Sequence, residues 1–246
     1  MKNKPYQLTL KIHRFDPDQN RKWHQTYTLT AGPVMRFVDL FRKINNEQDE
    51  TLAWPSSCEH GQCGSCSVLV NGKPVLACDL LVENAVTYFK TTNFTIKPLT
   101  ISPLIRDLVI DIDKAYERVN KAKPWIIKPA HQPDAGNEYH ITPNDIEPYE
   151  DATRCINCFC CAQACISKNN SFLGPNAMMA AIVRCMDPRE EEKKERLDIL
   201  FSSDGINRCH SSMACTHVCP KEIDVAHYMA LAKDGSLMDN NNKWRP

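Results

Sequence analysis

Cysteine sets the chemistry of this chain. Eleven of its thirteen cysteines fall into three short groups. Cys58, Cys63, Cys66 and Cys78 form C-x4-C-x2-C-x11-C; Cys155, Cys158, Cys161 and Cys165 form C-x2-C-x2-C-x3-C; Cys209, Cys215 and Cys219 form C-x5-C-x3-C followed by Pro220. Thiolates so spaced are soft ligands for iron–sulphur clusters or zinc, and in an oxidising compartment they would pair as disulfides. The N-terminus, from Met1 to Leu8, lacks the apolar core of a signal peptide and runs directly into a strand pattern. A cytoplasmic setting follows, where so many cysteines argue for metal over disulfides. Zinc sites favour paired C-x2-C groups, which the first group does not form. Clusters are therefore the expectation.

The first spacing is that of plant-type [2Fe–2S] ferredoxins, and the other two together match a bacterial two-cluster ferredoxin lacking one cysteine. In that pattern the fourth cysteine of a run crosses to the other cluster. Applied here, Cys155, Cys158, Cys161 and the distant Cys219 hold a [4Fe–4S] cluster, while Cys165 joins Cys209 and Cys215. The position three residues after Cys209, where another cysteine is expected, is Ser212. Three thiolates most simply hold a [3Fe–4S] cluster; the alternative is a fourth iron bound by the serine hydroxyl. Cys160 and Cys185 remain outside these sets and read as small buried residues.

The elements that must position these groups differ between the two halves, giving an α+β chain with domains at 1–101 and 102–246. Tyr6, Leu8, Leu10 and Ile12 alternate with polar residues, as do Trp23, Gln25, Tyr27 and Leu29, and both runs read as half-buried strands. Val34, Phe37, Val38, Phe41 and Ile44 then share one face of a short helix. Strand, strand, helix and cysteine loop is the order of a β-grasp ferredoxin. Asn71-Gly72 is a two-residue hairpin signal that pairs Val70 with Lys73, and so brings Cys78 back beside Cys66. Gly61 and Gly64 suit a loop that wraps closely around sulphide.

Beyond residue 101 the pattern is helical. Pro103 to Asp113 is expected to open a helix capped by Ser102. Prolines at 124, 129, 133, 143 and 148 make 122–141 an irregular connector, with Thr142-Pro143 starting another short helix. The run from Glu190 to Arg196 reads as a solvated helix face with Glu190–Lys194 and Glu192–Arg196 pairs, its other side packing through Leu197, Leu200 and Phe201. No stretch is long and apolar enough to span a bilayer. Thirty basic and thirty acidic residues give no net charge, so bulk charge indicates neither nucleic acid nor an anionic membrane surface.

With the three groups in place, the chain resembles the iron–sulphur subunit of succinate dehydrogenase and quinol:fumarate reductase over nearly its whole length. The resemblance rests on Ser57 to Cys66, Pro103 to Asp111, Cys155 to Cys161 with the extra Cys160, Arg208-Cys209-His210, and Cys219-Pro220-Lys221. It implies a peripheral subunit on the cytoplasmic face of the inner membrane, with no catalytic residue of its own. It would relay electrons through [2Fe–2S], [4Fe–4S] and [3Fe–4S] clusters between a flavoprotein subunit bearing FAD and a cytochrome b-type anchor bearing haem b and handling quinone. Two features depart from the family pattern. Glu59-His60 stands where the family usually has arginine after the first cysteine, and a carboxylate there should lower the cluster's potential, with protonated His60 offsetting it. After Cys165, Ile166-Ser167-Lys168-Asn169-Asn170 replaces the proline and tryptophans that line a quinone pocket in many members. The latter resembles fumarate reductases whose dihaem anchors bind menaquinol elsewhere. His210 holds a quinone-proximal position in some relatives and otherwise reads as a surface histidine. Alternative readings are a relay subunit for another flavin-dependent, quinone-linked oxidoreductase, and a hydratase using an open iron. The second lacks a substrate-binding constellation and leaves two clusters without a use.

Overall fold

A computed structural model of the chain describes residues 4–129, 134, 136–168 and 171–237. The chain divides into two compact units, one comprising Met1–Ile112 with Ile156–Gln163, the other Asp113–Cys155 with Ala164–Pro246.

In the first unit, β1 (Tyr6–Asp16), β2 (Arg21–Ala31), α1 (Phe37–Glu47), β3 (Ser67–Val70), β4 (Lys73–Leu76), α2 (Val82–Phe89) and β5 (Asn93–Lys97) build one mixed sheet and its covering helices. The strand order is β2-β1-β5-β3-β4, with β1 parallel to β5 and the other pairs antiparallel. The alternation read from sequence is real. Leu8, Leu10 and Ile12 of β1 are fully buried, and Val68, Val70, Phe94 and Ile96 line the same core. Helix α1 closes it with Phe37, Val38, Leu40, Phe41 and Ile44, Phe37 packing edge-on against Phe94 at 5.3 Å. Val34, expected on that helical face, precedes the helix and is exposed. The hairpin forms as expected: Val70 pairs with Lys73, Asn71 and Gly72 both adopt positive φ, and Ala77 N–H donates to Cys66 O at 3.1 Å.

The expected helix from Pro103 is instead a hairpin of β6 (Leu104–Arg106) and β7 (Val109–Ile110), and α3 (Ile112–Lys121) begins only afterwards. The reason is Asp107, which turns the chain at φ +47° and buries its carboxylate. That carboxylate accepts from Arg14 Nε and from the N–H groups of Phe15 and Ala53, each at 2.9 Å. Arg14, itself buried, also holds Asp49 and the Tyr27 hydroxyl. One buried anion fixing β1 and the irregular segment that leads to the cysteine loop outweighs the local helical signal of Pro103. Ser102 donates its hydroxyl to Asp111 O and caps no helix there.

The second unit is helical. It holds α4 (Pro143–Ile146), α5 (Glu150–Thr153), α7 (Pro175–Met186), α8 (Lys193–Leu200), α9 (Ala214–His217) and α10 (Val225–Lys233), while α6 (Cys160–Ala164) falls mostly in the first unit. Helix α7 is apolar nearly all round and packs against α5, α8 and α10, as a helix at the centre of a bundle must. Cys185 lies on it, fully buried, and desolvation pushes its thiol up to about 12. Thr142 starts α4 with Asp145 accepting from its N–H and hydroxyl, both at 2.7 Å. The connector holds neither helix nor strand where it is described, apart from a bridge between Pro129 and Glu190; residues 130–133 and 135 lie outside the described residues. Among the described residues no helix is long and apolar enough to cross a membrane.

The charge run is not a solvated face. Glu190 and Arg196 are fully buried and paired with each other at 2.7 Å, while Lys194 pairs with Asp198. Arg196 also donates to the carbonyls of Ala122, Lys123 and Trp125, and Glu190 accepts from the N–H groups of Ile127, Lys128 and Glu192. The pair satisfies a connector whose backbone has no ladder of its own, which is why it tolerates burial. Burial alone would raise the Glu190 carboxyl, but the Ile127 N–H, Arg196 and two further N–H groups hold it down at about 2. Its contribution is therefore complete above the ordinary carboxyl value of 4.5 and is lost as the pH falls through about 2. Of the other residues expected to pack, Leu200 is buried and Phe201 is exposed.

Two outcomes follow from these buried charges. Asp107→Ala strands Arg14 and two backbone donors, and should destabilise the first unit by about 3–5 kcal/mol. Chemical denaturation followed by tryptophan fluorescence measures this, and Asp107→Asn should lose less. Arg196→Met should cost a similar ~3–5 kcal/mol and free the connector, so limited trypsin digestion should cut faster after Lys121 than in the parent chain.

Candidate metal centres

The first cysteine loop hangs between Pro55 and β3 and is bent by three successive reversals, Glu59 at φ +58° and Gly61 and Gly64 at +73°. The bends turn backbone N–H groups toward sulphur. Gln62 donates to Cys58 Sγ at 3.3 Å, Cys58 to Cys63 Sγ at 3.5 Å, Gly61 to Cys78 Sγ at 3.2 Å and Cys78 to Cys66 Sγ at 3.4 Å. All four thiols predicted to act together thus meet in one N–H-lined nest, with Cys66 and Cys78 buried and Cys58 and Cys63 at its rim. Desolvation works against ionising Cys63, but the Ser65 hydroxyl at 3.2 Å and the N–H groups around it bring its thiol down to about 6. Burial pushes Cys66 the other way, up to about 12. Among the described residues no three His, Cys, Asp or Glu side chains close on a single ion. The donor set is instead a ring of free thiols with hydrogen bonds aimed at their sulphurs, which is the chemistry a [2Fe–2S] cluster requires.

The second cysteine run passes directly against this loop. A Cβ on Gly64 would stand 2.6 Å from Ile156 O and 2.9 Å from Cys158 Cα, so only glycine allows the approach. Ser67 donates to Gly64 O at 3.0 Å and touches Cys160 Sγ at 3.7 Å. Cys160 is fully buried, as expected of a residue outside the ligand sets. Its thiol, and then desolvation, push the neighbouring Cys158 thiol upward. Asn157 and Phe159 adopt positive φ, turning the chain tightly around Cys158, and Cys161 follows in α6. Gln163 anchors that helix by accepting from Thr100 N–H at 2.7 Å.

In the second unit Cys165, Cys209 and Cys215 line one cavity of about 310 Å³ together with Ser212. Burial first, and then proximity to Cys209, raises the thiols of Cys165 and Cys215. Ser211 and Met213 adopt positive φ, and Ser211 N–H donates to Cys209 Sγ at 3.4 Å. Lys233 of α10 reaches across to Cys209 O and to Ser211 Oγ at 2.9 Å. Phe172, Pro175 and Met229 make the inner wall, and the exposed His210, Ile166, Met213 and Ala230 its mouth. Asn169 and Asn170, part of the departure noted after Cys165, lie outside the described residues. Cys155 and Cys219 each follow a short helix, α5 and α9. Ser67 and Lys233 escaped the sequence reading, since folding and not spacing brings Ser67 to Cys160 and Lys233 to Cys209 O.

Comparison with known proteins agrees with this chemistry. The family model described as a 2Fe-2S iron-sulfur cluster binding domain matches residues 9–117, and that of a 4Fe-4S dicluster domain matches residues 151–223. Succinate dehydrogenase [ubiquinone] iron-sulfur subunit 1, mitochondrial, of Oryza sativa subsp. japonica is 33% identical over 233 residues, spanning 92% of this chain and 80% of that one. The fumarate reductase iron-sulfur subunit of Mycobacterium tuberculosis is 29% identical over 222 residues, 89% of this chain and 88% of its own. A chain of the Mycobacterium smegmatis Sdh1 complex in the apo form superposes with a TM-score of 0.80 at 25% identity, covering 94% and 96% of the two chains. The chain belongs to the family of iron–sulphur subunits of succinate dehydrogenase and fumarate reductase.

Proposed function

We propose that this chain carries electrons between a flavoprotein subunit bearing FAD and a cytochrome b-type membrane anchor bearing haem b, in a complex of quinol:fumarate reductase type. The observation that supports it most is the nest of four thiols in the first loop, with the second cysteine run packed against it at Gly64. Cys58, Cys63, Cys66 and Cys78 would hold [2Fe–2S]; Cys155, Cys158, Cys161 and Cys219 would hold [4Fe–4S]; Cys165, Cys209 and Cys215 would hold [3Fe–4S]. Bound there, the clusters supply reversible one-electron storage. The chain's own residues aim N–H groups at the sulphurs of the first loop and bring the two loops into van der Waals contact through Gly64, Ser67 and Cys160.

The fumarate reductase form of the reading, with menaquinol oxidised away from this subunit, rests on the residues after Cys165, where Ile166-Ser167-Lys168 replaces a family pocket of proline and tryptophan. Peripheral attachment to a membrane anchor is supported by the exposed Ile166 and Met213 beside the three-cysteine cavity. Such apolar side chains at a cavity mouth suit a protein partner.

An electron paramagnetic resonance redox titration of the assembled complex tests the reading. Three centres and about nine irons per chain are expected, the sum over the three cluster types. Tightly bound zinc without acid-labile sulphide would overturn it. In the same assay Cys219→Ala should damage the [4Fe–4S] signal while the [2Fe–2S] signal persists. Selective loss of the [3Fe–4S] signal would show that the ligand sorting is wrong.

Ser212 supplies the last outcome. It lines the cavity beside Cys209 and Cys215, at the spacing where a thiolate would complete a four-iron site. Ser212→Cys should therefore convert this centre to [4Fe–4S] and lower its potential, because cluster type and charge are leading determinants of potential. Quinone-linked turnover should slow more than electron transfer to a dye that accepts upstream. An unchanged three-iron resonance in the folded variant would mean that loop geometry excludes the fourth iron.

A further inference from the structure

Arg36, the residue before helix α1, and Asp39 and Arg42 within it stand three positions apart on one side of the helix, and Arg36 and Arg42 reach the first cysteine loop. All three are engaged. Asp39 accepts from the Arg36 N–H at 2.9 Å and from Arg42 at 3.4 Å, while Arg36 Nη1 donates to Glu59 O at 3.0 Å. Arg42 Nη2 pairs with the Glu59 carboxylate, whose other oxygen accepts from Ser56 Oγ at 2.7 Å. Glu59 follows Cys58 directly and is held at φ +58°, so its charge is fixed within a residue of a sulphur ligand.

Arg42 is 45% exposed and Glu59 33%. A pair so open to water contributes little to stability. A unit charge beside a redox centre matters more. Reduction adds one negative charge, which a carboxylate at Glu59 opposes and a guanidinium at Arg42 favours. The lowering of potential expected from Glu59 alone is thereby offset from a different element, seventeen residues earlier in the chain.

We propose that Arg42 is a positioning and charge-compensating residue for the [2Fe–2S] centre, neutralising Glu59 and holding the potential of that centre up. The proposal rests on the assignment of Cys58, Cys63, Cys66 and Cys78 to [2Fe–2S], and failure of that assignment would show separately, as absence of the signal in the parent chain.

The test is the midpoint potential of that centre, read by electron paramagnetic resonance in the assembled complex for Arg42→Gln, Glu59→Gln, the double variant and Arg42→Lys. At a fixed ambient potential Arg42→Gln should lower the ratio of reduced to oxidised cluster by about fivefold, as expected for one partly screened charge nearby. Glu59→Gln should raise it, the double variant should return close to the parent, and Arg42→Lys should restore most of the parent value. Raising ionic strength should shrink the Arg42→Gln shift. Equal potentials in all the variants, or shifts of the same sign from both single neutralisations, would overturn the proposal. So would failure of the lysine variant to restore the value, because lysine retains the charge.

Discussion

Negative charge can rest on poorly hydrated sulphur only where N–H groups converge on it, and the backbone of this chain is bent to make them converge. Glu59, Asn157, Phe159, Ser211 and Met213 are five non-glycine residues at positive φ, and all stand within two positions of a cysteine assigned to a cluster. Asn adopts this conformation readily; Phe159 and Met213 do not, and each stores strain of about 1–3 kcal/mol. Strain persists only where surrounding structure over-determines it. In the first unit the sheet and α1 supply that surround, and in the second the three helices packed on α7.

The same electrostatic demand explains how the remaining charges are placed. Two of the fully buried ions are tied to backbone as well as to a charged partner. Asp107 serves Arg14 and two N–H groups, and Arg196 serves Glu190 and three carbonyls. Such pairs fix where the chain must go, since removing either member leaves donors or acceptors stranded without water. Arg42 and Glu59 belong to a different class. Water screens them, so their effect is felt at the neighbouring sulphurs more than in stability. Burial, more than charge count, separates the pairs that shape the fold from the pair assigned to tuning.

The sequence displayed those features whose cause is local. The alternation of Leu8, Leu10 and Ile12 and the Asn71-Gly72 turn each follow from neighbours a few residues apart, and the structure reproduces them. The readings that failed depended on distant partners. Pro103 to Asp111 carries a helix-like start, but the buried Asp107 carboxylate binds residues 54 and 92 positions away and pulls the segment into a hairpin. Glu190 and Arg196 look like a solvated helix repeat until the connector at 122–128 supplies carbonyls and N–H groups that need them. Arg42 carried no motif at all, because its meaning comes from a loop that folds back onto α1.

Cys160 shows how far the ligand logic reaches into residues that bind no iron. It follows Cys158 by two positions and contacts Ser67, the neighbour of Cys66, at 3.7 Å, so it stands where two cysteine loops meet with no exposed surface. Ser67 already spends its proton on Gly64 O, so it can meet Cys160 only as an acceptor. A serine at 160 would bring a stronger donor and acceptor to a place with little room to satisfy both. A larger apolar side chain would push Cys158 away from Gly64, where backbone already approaches too closely for a methyl group. Alanine would leave a gap the size of a sulphur atom between the loops. A thiol is small, nearly apolar and a weak donor, and it fills that space without forcing the loops apart.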